Sequence, residues 1–300
     1  MKSKSINNVI NGLLDIYQNS NGRGIWAQER CDYYYIGDKT AIIAMDAVKL
    51  FISTEDVGVA THIITQCDWE GWETNLVDSI IRPDQVWVEI GANLGYYTAN
   101  IGNILRDQGR LYAFEASGEL YQLLSKTVSV NGLDNTVDLI HTAVWNHDKG
   151  LDFCDSNKEF VGGSHISYSS EDAGCVHSTS TTLDIALKGQ KVDVLKMDVE
   201  GAECTILDGA QSMLASSENL SIIMEWNVSM QTKAGSSVQD CMNNLVEHGF
   251  NHFYDIMDNT EVTVEYLVNT DKHMDIYVTK SPISMEEITT TQVSGLDAEL

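Results

Sequence analysis

The chain has 300 residues, with 18 Lys and Arg against 44 Asp and Glu, a formal net charge of −26. A hydrophobic fraction of 43% provides for a buried core and argues against global disorder, with room for one core domain and a small cap. The charge disfavours nonspecific binding to nucleic acid or anionic membrane, since like charges repel throughout the Debye length.

The opening MKSKSINNVINGLLDIY lacks the uninterrupted apolar stretch of a secretory signal. No run of about 18 apolar residues predicts a membrane span. Cys31, Cys67, Cys154, Cys175, Cys204 and Cys241 are scattered without a CxxC pair, so reduced thiols in a cytoplasmic protein are expected, with neither zinc site nor disulfide framework.

In chain order, apolar spacing predicts an amphipathic helix over residues 6–17. Short strands follow over 33–36, 41–45 and 49–52, then a helix over 73–81 that stops before Arg82-Pro83. Residues 1–82 read as an α+β cap. From residue 85 the rhythm changes to strands at 86–90, 110–114, 137–141, 192–197, 220–225, 250–256 and 274–279. Helices are expected at 96–105, 119–131, 203–215 and 237–248. This alternation, with central strands apolar on both faces, predicts an α/β domain over 83–280 built on a mostly parallel sheet. The last two strands, with no helix between them, are expected to form an antiparallel edge. Residues 281–300 read as a flexible acidic tail.

The most informative segment is EIGANLGYYT, residues 89–98, where a strand turns through glycines into a helix. Glycine lets the backbone fold sharply and a ligand approach closely. A dinucleotide site needs a third glycine where Asn93 stands, and a carboxylate at Glu89 repels pyrophosphate. The turn suits S-adenosylmethionine better than NAD. Glu115 ends the next strand twenty positions after Gly95, where its two oxygens can accept both ribose hydroxyls.

Further motifs follow in order: LYAFEASGELYQLLSKTVSVNGL (111–133), HTAVWN (141–146), GGSHIS (162–167), TTLDIALKGQKVDVLKMDVEGAECTILDGA (181–210) and IIMEWN (222–227). With these the chain, from about residue 45 to residue 280, resembles the FkbM family of S-adenosylmethionine-dependent methyltransferases, mostly O-methylating enzymes. It departs from the family's usual pattern at Glu89, where aspartate is common, and at Ala116, where proline is. The resemblance implies a class I Rossmann-like fold. It also implies that Gly91, Asn93 and Gly95 shape the methionine-side loop, Glu115 holds the ribose, and Thr142 and Ala143 meet the adenine. Glu89, Thr98, Ala116 and Asp198 join that cofactor-binding set.

Methyl transfer to a hydroxyl needs alignment and removal of a proton, and the expected bases are Asp198, Glu200 and His165. Asp198 serves equally as an ammonium partner or a helix cap, and Glu200 as an acid in the first turn of the next helix. Asp184 is expected to cap a short helix; Lys196 and Glu203 read as structural or surface residues. Asp198, Glu200 and Glu225 stand at neighbouring strand ends, but no His or Cys ligand spacing supports a metal and none is expected. Trp69, Trp72 and Glu73 either pack the cap on the sheet or close over the site. The function expected is O-methylation of a small molecule or saccharide, with nucleic acid and membrane excluded as partners. The alternatives are a cofactor-binding module without turnover and an NAD-dependent oxidoreductase.

Overall fold

The computed structural model describes residues 31–154, 165, 166 and 175–285. The helix expected over 6–17, most of GGSHIS and the acidic tail from residue 286 lie outside them.

Three antiparallel strands come first, β1 (Asp32–Gly37), β2 (Thr40–Ala44) and β3 (Lys49–Ser53), followed by α1 (Val59–Gln66) and α2 (Gly71–Ile80). The main sheet begins with β4 (Val86–Ile90), α3 (Tyr96–Leu105), β5 (Arg110–Glu115), α4 (Gly118–Val130) and β6 (Val137–His141). Two small side sheets follow, from β7 (Ala143–Val144), β8 (Leu151–Cys154), β9 (His165–Ile166), β10 (Val176–Ser178) and β11 (Ser180–Thr181). Then come α5 (Leu183–Leu187), β12 (Val194–Met197), α6 (Glu203–Asp208), α7 (Gln211–Ser216) and β13 (Ser221–Trp226). The chain closes with α8 (Val228–Lys233), α9 (Val238–Glu247), β14 (His252–Asp255), β15 (Thr260–Val262), α10 (Val264–Asn269) and β16 (Met274–Thr279).

The eight-stranded sheet has the order β15-β14-β16-β13-β12-β4-β5-β6. Strands β13, β12, β4, β5 and β6 are parallel, and β16, β14 and β15 each pair antiparallel with their neighbours. This is the mostly parallel sheet that the strand–helix alternation predicts, and the Rossmann-like arrangement that the resemblance implies. Every residue of β12 and β13 is buried, as a strand covered on both faces requires. On one face Ile43, Leu50, Ile52 and Leu76 of the N-terminal segment share a continuous core with Trp87, Ile101 and Leu105. On the other, Val88, Phe114, Leu195 and Ile206 pack with Trp226 and Phe250. The cap is also pinned by polar contacts to α4: Phe51 N donates to Thr127 Oγ1 at 3.0 Å, and Lys49 N to Asn131 Oδ1 at 2.8 Å.

Several expectations are corrected. The strands expected at 250–256 and 274–279, β14 and β16, do pair antiparallel, but β16 sits between β13 and β14, so the edge belongs to β15, and a helix separates them in the chain. That helix, α10, has only six residues and is started by Thr263, whose side chain accepts from Tyr266 N; it is too short to show a helical period. The helix expected over 203–215 is two helices. Asp184 accepts from Ser212 N and Met213 N, both at 2.9 Å, and so starts α7 afresh, while Thr182 caps α5.

Cys154 and Cys175 are joined in a disulfide, so six reduced thiols is also wrong. Antiparallel pairing of β8 with β10 brings the two together across 21 positions of sequence, which spacing alone conceals. The cytoplasmic expectation loses the support it drew from thiol usage. No described helix is long and apolar enough to cross a membrane.

Candidate active site

A cavity of about 420 Å³ opens where β4, β5, β12 and β13 end, the carboxyl edge at which open parallel sheets bind ligands. Its first end is built by the turn after β4. Gly91 has φ 82°, and a Cβ there would stand 2.1 Å from the Asp198 carbonyl oxygen, so the turn can cross the end of β12 only with glycine. Asn93 takes the middle position in the left-handed region, φ 52°, which asparagine tolerates better than most side chains, and its Oδ1 accepts from Leu94 N at 2.7 Å.

Glu115, at the tip of β5, accepts from Asn93 N and Ser117 N, both at 2.8 Å, one on each oxygen. It therefore ties the glycine turn to its own loop. Glu89 is buried under the turn and accepts from Thr98 Oγ1 at 2.6 Å. Burial pushes the Glu89 carboxyl up to about 7, with Thr98 and Lys196 opposing. Phe114, Ala116, Leu120 and Val144 complete this end with Thr142 and Ala143. Gly95 and Thr98 are the exceptions among the residues expected here. Gly95, with φ 95°, precedes α3 without lining the cavity. Thr98 is fully buried and does not line the cavity, so its part is to hold Glu89 rather than to meet a ligand.

The second end collects acids. Asp198 and Glu200 follow β12, Glu225 lies on β13, Asp275 on β16, and Glu70 and Trp72 come from the segment around α2. Register explains the meeting of two of them, since Glu225 is paired directly with Asp275 across β13 and β16. Both cations lining the cavity are engaged. Lys196 Nζ lies 2.8 Å from Glu73 Oε1 and 4.3 Å from the centre of the Tyr97 ring. Burial alone would lower the Lys196 pKa; Glu73, Asp198 and Glu70 outweigh it and keep the ammonium charged. His273 Nε2 pairs with Glu225 Oε1, which holds the imidazole up at about 9.

Burial raises Asp198 to about 6, with Lys196 opposing and Glu225 adding repulsion. Burial raises Glu200 to about 8, reinforced by Glu225 and Asp198. Glu200 lies in the turn ahead of α6, outside its first helical turn, and Ala202 rather than Asp198 occupies the cap position. His165 is placed only by its backbone, opposite Cys154 in β9; its side chain lies outside the described residues. Among the described residues no group of three His, Cys, Asp or Glu side chains is placed to hold a metal ion.

A family model described as the methyltransferase FkbM domain matches residues 89–252, more than half of the chain. The chain belongs to this family. As an FkbM-family methyltransferase it uses S-adenosylmethionine, which replaces the nicotinamide alternative. No curated protein matches it. Among solved structures it is similar to P. horikoshii TYW2 in complex with MeSAdo, at 12% identity over 82% of this chain and 74% of that one, TM-score 0.44. It is also similar to precorrin-6y C5,15-methyltransferase from Geobacter metallireducens GS-15, at 13% identity over 71% and 89%, TM-score 0.40. A third is a SAM-dependent methyltransferase from Aquifex aeolicus, at 11% identity over 69% and 88%, TM-score 0.38.

The cavity fits the cofactor by its own chemistry. Acids at Glu89 and Asp198 suit an ammonium and a sulfonium, and Phe114, Leu120 and Val144 give an apolar slot.

Cavity residues that escape sequence reading include Glu70, Met257, His273 and Asp275. The last two reach it because β16 returns antiparallel beside β13, a register that no local pattern encodes. Trp69 and Trp72 line the cavity, and Trp72 Nε1 donates to Asp275 Oδ2 at 2.8 Å, which ties α2 to β16 beside the site.

Proposed function

We propose that the FkbM-family chain O-methylates a hydroxyl of a small molecule or saccharide. The observation that carries this reading is one cavity bounded at one end by the glycine turn and Glu115 and at the other by Asp198, Glu200 and Glu225. When bound, S-adenosylmethionine supplies an electrophilic methyl group on a sulfonium. Gly91, Asn93 and Gly95 shape its methionine side, Glu115 accepts the ribose hydroxyls, and Ala116, Thr142 and Ala143 border the adenine. Asp198, ionised at neutral pH, takes the acceptor's hydroxyl proton on its carboxylate. Glu200, largely protonated below about pH 8, donates a hydrogen bond to the acceptor and adds no negative charge beside the forming alkoxide. Trp69 and Trp72 limit water at the mouth. The net charge of −26 and the paired state of both lining cations support a neutral acceptor over a polyanion.

The test is a panel of glycosides, aliphatic alcohols, phenols, amines and RNA oligonucleotides, followed by S-adenosylhomocysteine release. Methylation of a hydroxyl is expected, with Asp198→Asn lowering kcat by about 100-fold or more, the size of a general-base contribution. Turnover confined to amines or RNA, or full activity in Asp198→Asn, would overturn the assignment.

A further inference from the structure

The turn that carries Asp198 and Glu200 is held in a conformation it would not adopt alone. Glu200 has φ 55° and Gly201 φ 98°, two successive residues in the left-handed region, and one of them has a side chain. Such a residue is strained and persists only where its surroundings hold it. Two sides of the turn are walled by backbone: Gly91 crosses over the Asp198 carbonyl, and a Cβ on Gly201 would stand 2.8 Å from the carbonyl carbon of Met230 on α8. The third hold is Glu203. Its Oε1 accepts from Val199 N at 3.2 Å and Gly201 N at 3.4 Å, bracketing Glu200 on both sides.

We propose that Glu203 is a positioning residue of the methyl-transfer site, which pins the turn over residues 199–201 so that Glu200 faces the cavity. The proposal rests on the role given to Glu200 above. An acid that merely served the dipole of α6 would sit in solvent, whereas Glu203 is 1% exposed and its Oε2 is buried without a hydrogen-bond partner. Burial, with Glu225 and Asp198 nearby, pushes this carboxyl well above the usual range. Oε1 is then the working atom, and an amide oxygen can replace it.

Glu203→Gln and Glu203→Leu in the full chain test this, with three readouts. The first is hydrogen exchange at the Val199 and Gly201 amides. The second is the titration of Glu200, followed by carboxyl-carbon NMR and assigned with Glu200→Gln. The third is S-adenosylmethionine affinity by calorimetry. Wild-type protein and Glu203→Gln should protect both amides and titrate Glu200 near 8. Glu203→Leu should lose that protection and bring Glu200 toward the ordinary glutamate value of about 4.3, because its carboxyl exchanges burial beside Glu225 and Asp198 for solvent, which outweighs the loss of His273. Cofactor affinity should change by less than about 3-fold, since the turn after β4 is untouched. Unprotected amides in the wild type, an unmoved Glu200 titration in Glu203→Leu, or a Glu203→Gln that behaves like Glu203→Leu would overturn it. If Glu203→Leu does not fold, wild-type exchange and Glu203→Gln decide. Failure of the wild type to bind cofactor would refute the methyl-transfer reading, while exchange and titration still report on the turn.

Discussion

Lys196→Met removes one member of a buried ion pair and keeps most of the side chain's volume. The Lys196 and Glu73 side chains are 4% and 3% exposed, so the carboxylate left behind has neither counter-ion nor solvent. Breaking such a pair costs about 3–5 kcal/mol, against about 0–1 kcal/mol for an exposed pair. At roughly 2–4 °C per kcal/mol for a domain of this size, Tm should fall by roughly 6–20 °C. The deficit depends on pH. Burial already raises the Glu73 carboxyl, Lys196 opposes that rise, and the substitution lifts it further. A carboxyl with a raised folded-state pKa costs nothing while both states are protonated, and its cost grows as pH rises from the unfolded value, about 4.3, toward the folded one. Denaturant unfolding at pH 5 and pH 8 is the assay, with the larger loss expected at pH 8. Glu73→Leu combined with Lys196→Met removes both charges and should recover most of the stability. A loss under about 1 kcal/mol in the single variant, or a larger loss at pH 5, would refute the idea that this pair locks α2 onto β12.

Gly91→Ala forces a side chain into the left-handed region and toward a backbone oxygen 2.1 Å away. Strain of about 1–2 kcal/mol and overpacking of about 1–3 kcal/mol should lower stability and abolish cofactor binding in calorimetry; wild-type affinity would contradict the turn. Alkylation of denatured, unreduced protein should label four thiols, Cys31, Cys67, Cys204 and Cys241, and all six after reduction. Six before reduction would remove the Cys154–Cys175 link.

Features that depend on local chain chemistry were readable in advance. The turn at Gly91, Asn93 and Gly95 is legible because sharp reversal demands residues that accept positive φ, and all three adopt it. Helix α3 begins and ends where its apolar spacing says. Features that depend on how distant segments meet were not. Helix α1 is hidden in the sequence because it has only eight residues and a glycine at its cap position, its start being held by Asp56 two positions earlier, which accepts from Ala60 N. The acids of the second end were only partly legible: Asp198 and Glu200 lie in a recognisable motif, whereas Glu70 and Asp275 gain their place from α2 and β16 folding over the same strand ends.

The same distinction explains how two acids two residues apart come to differ. Asp198 and Glu200 share one turn, one neighbourhood of carboxyl groups and one sign of desolvation. What separates them is Lys196, which acts on Asp198 and not on Glu200 among the forces that set their protonation. Lys196 can do so because Glu73, from the cap, keeps its ammonium charged inside the fold. Asp198 thereby gives up its proton at a lower pH than Glu200, the separation that the proposed base and hydrogen-bond donor require. The cap therefore shapes the chemistry as well as the walls of the site. If Lys196→Met leaves a folded protein, the Asp198 carboxyl should titrate higher than about 6 and the two acids should lose their separation.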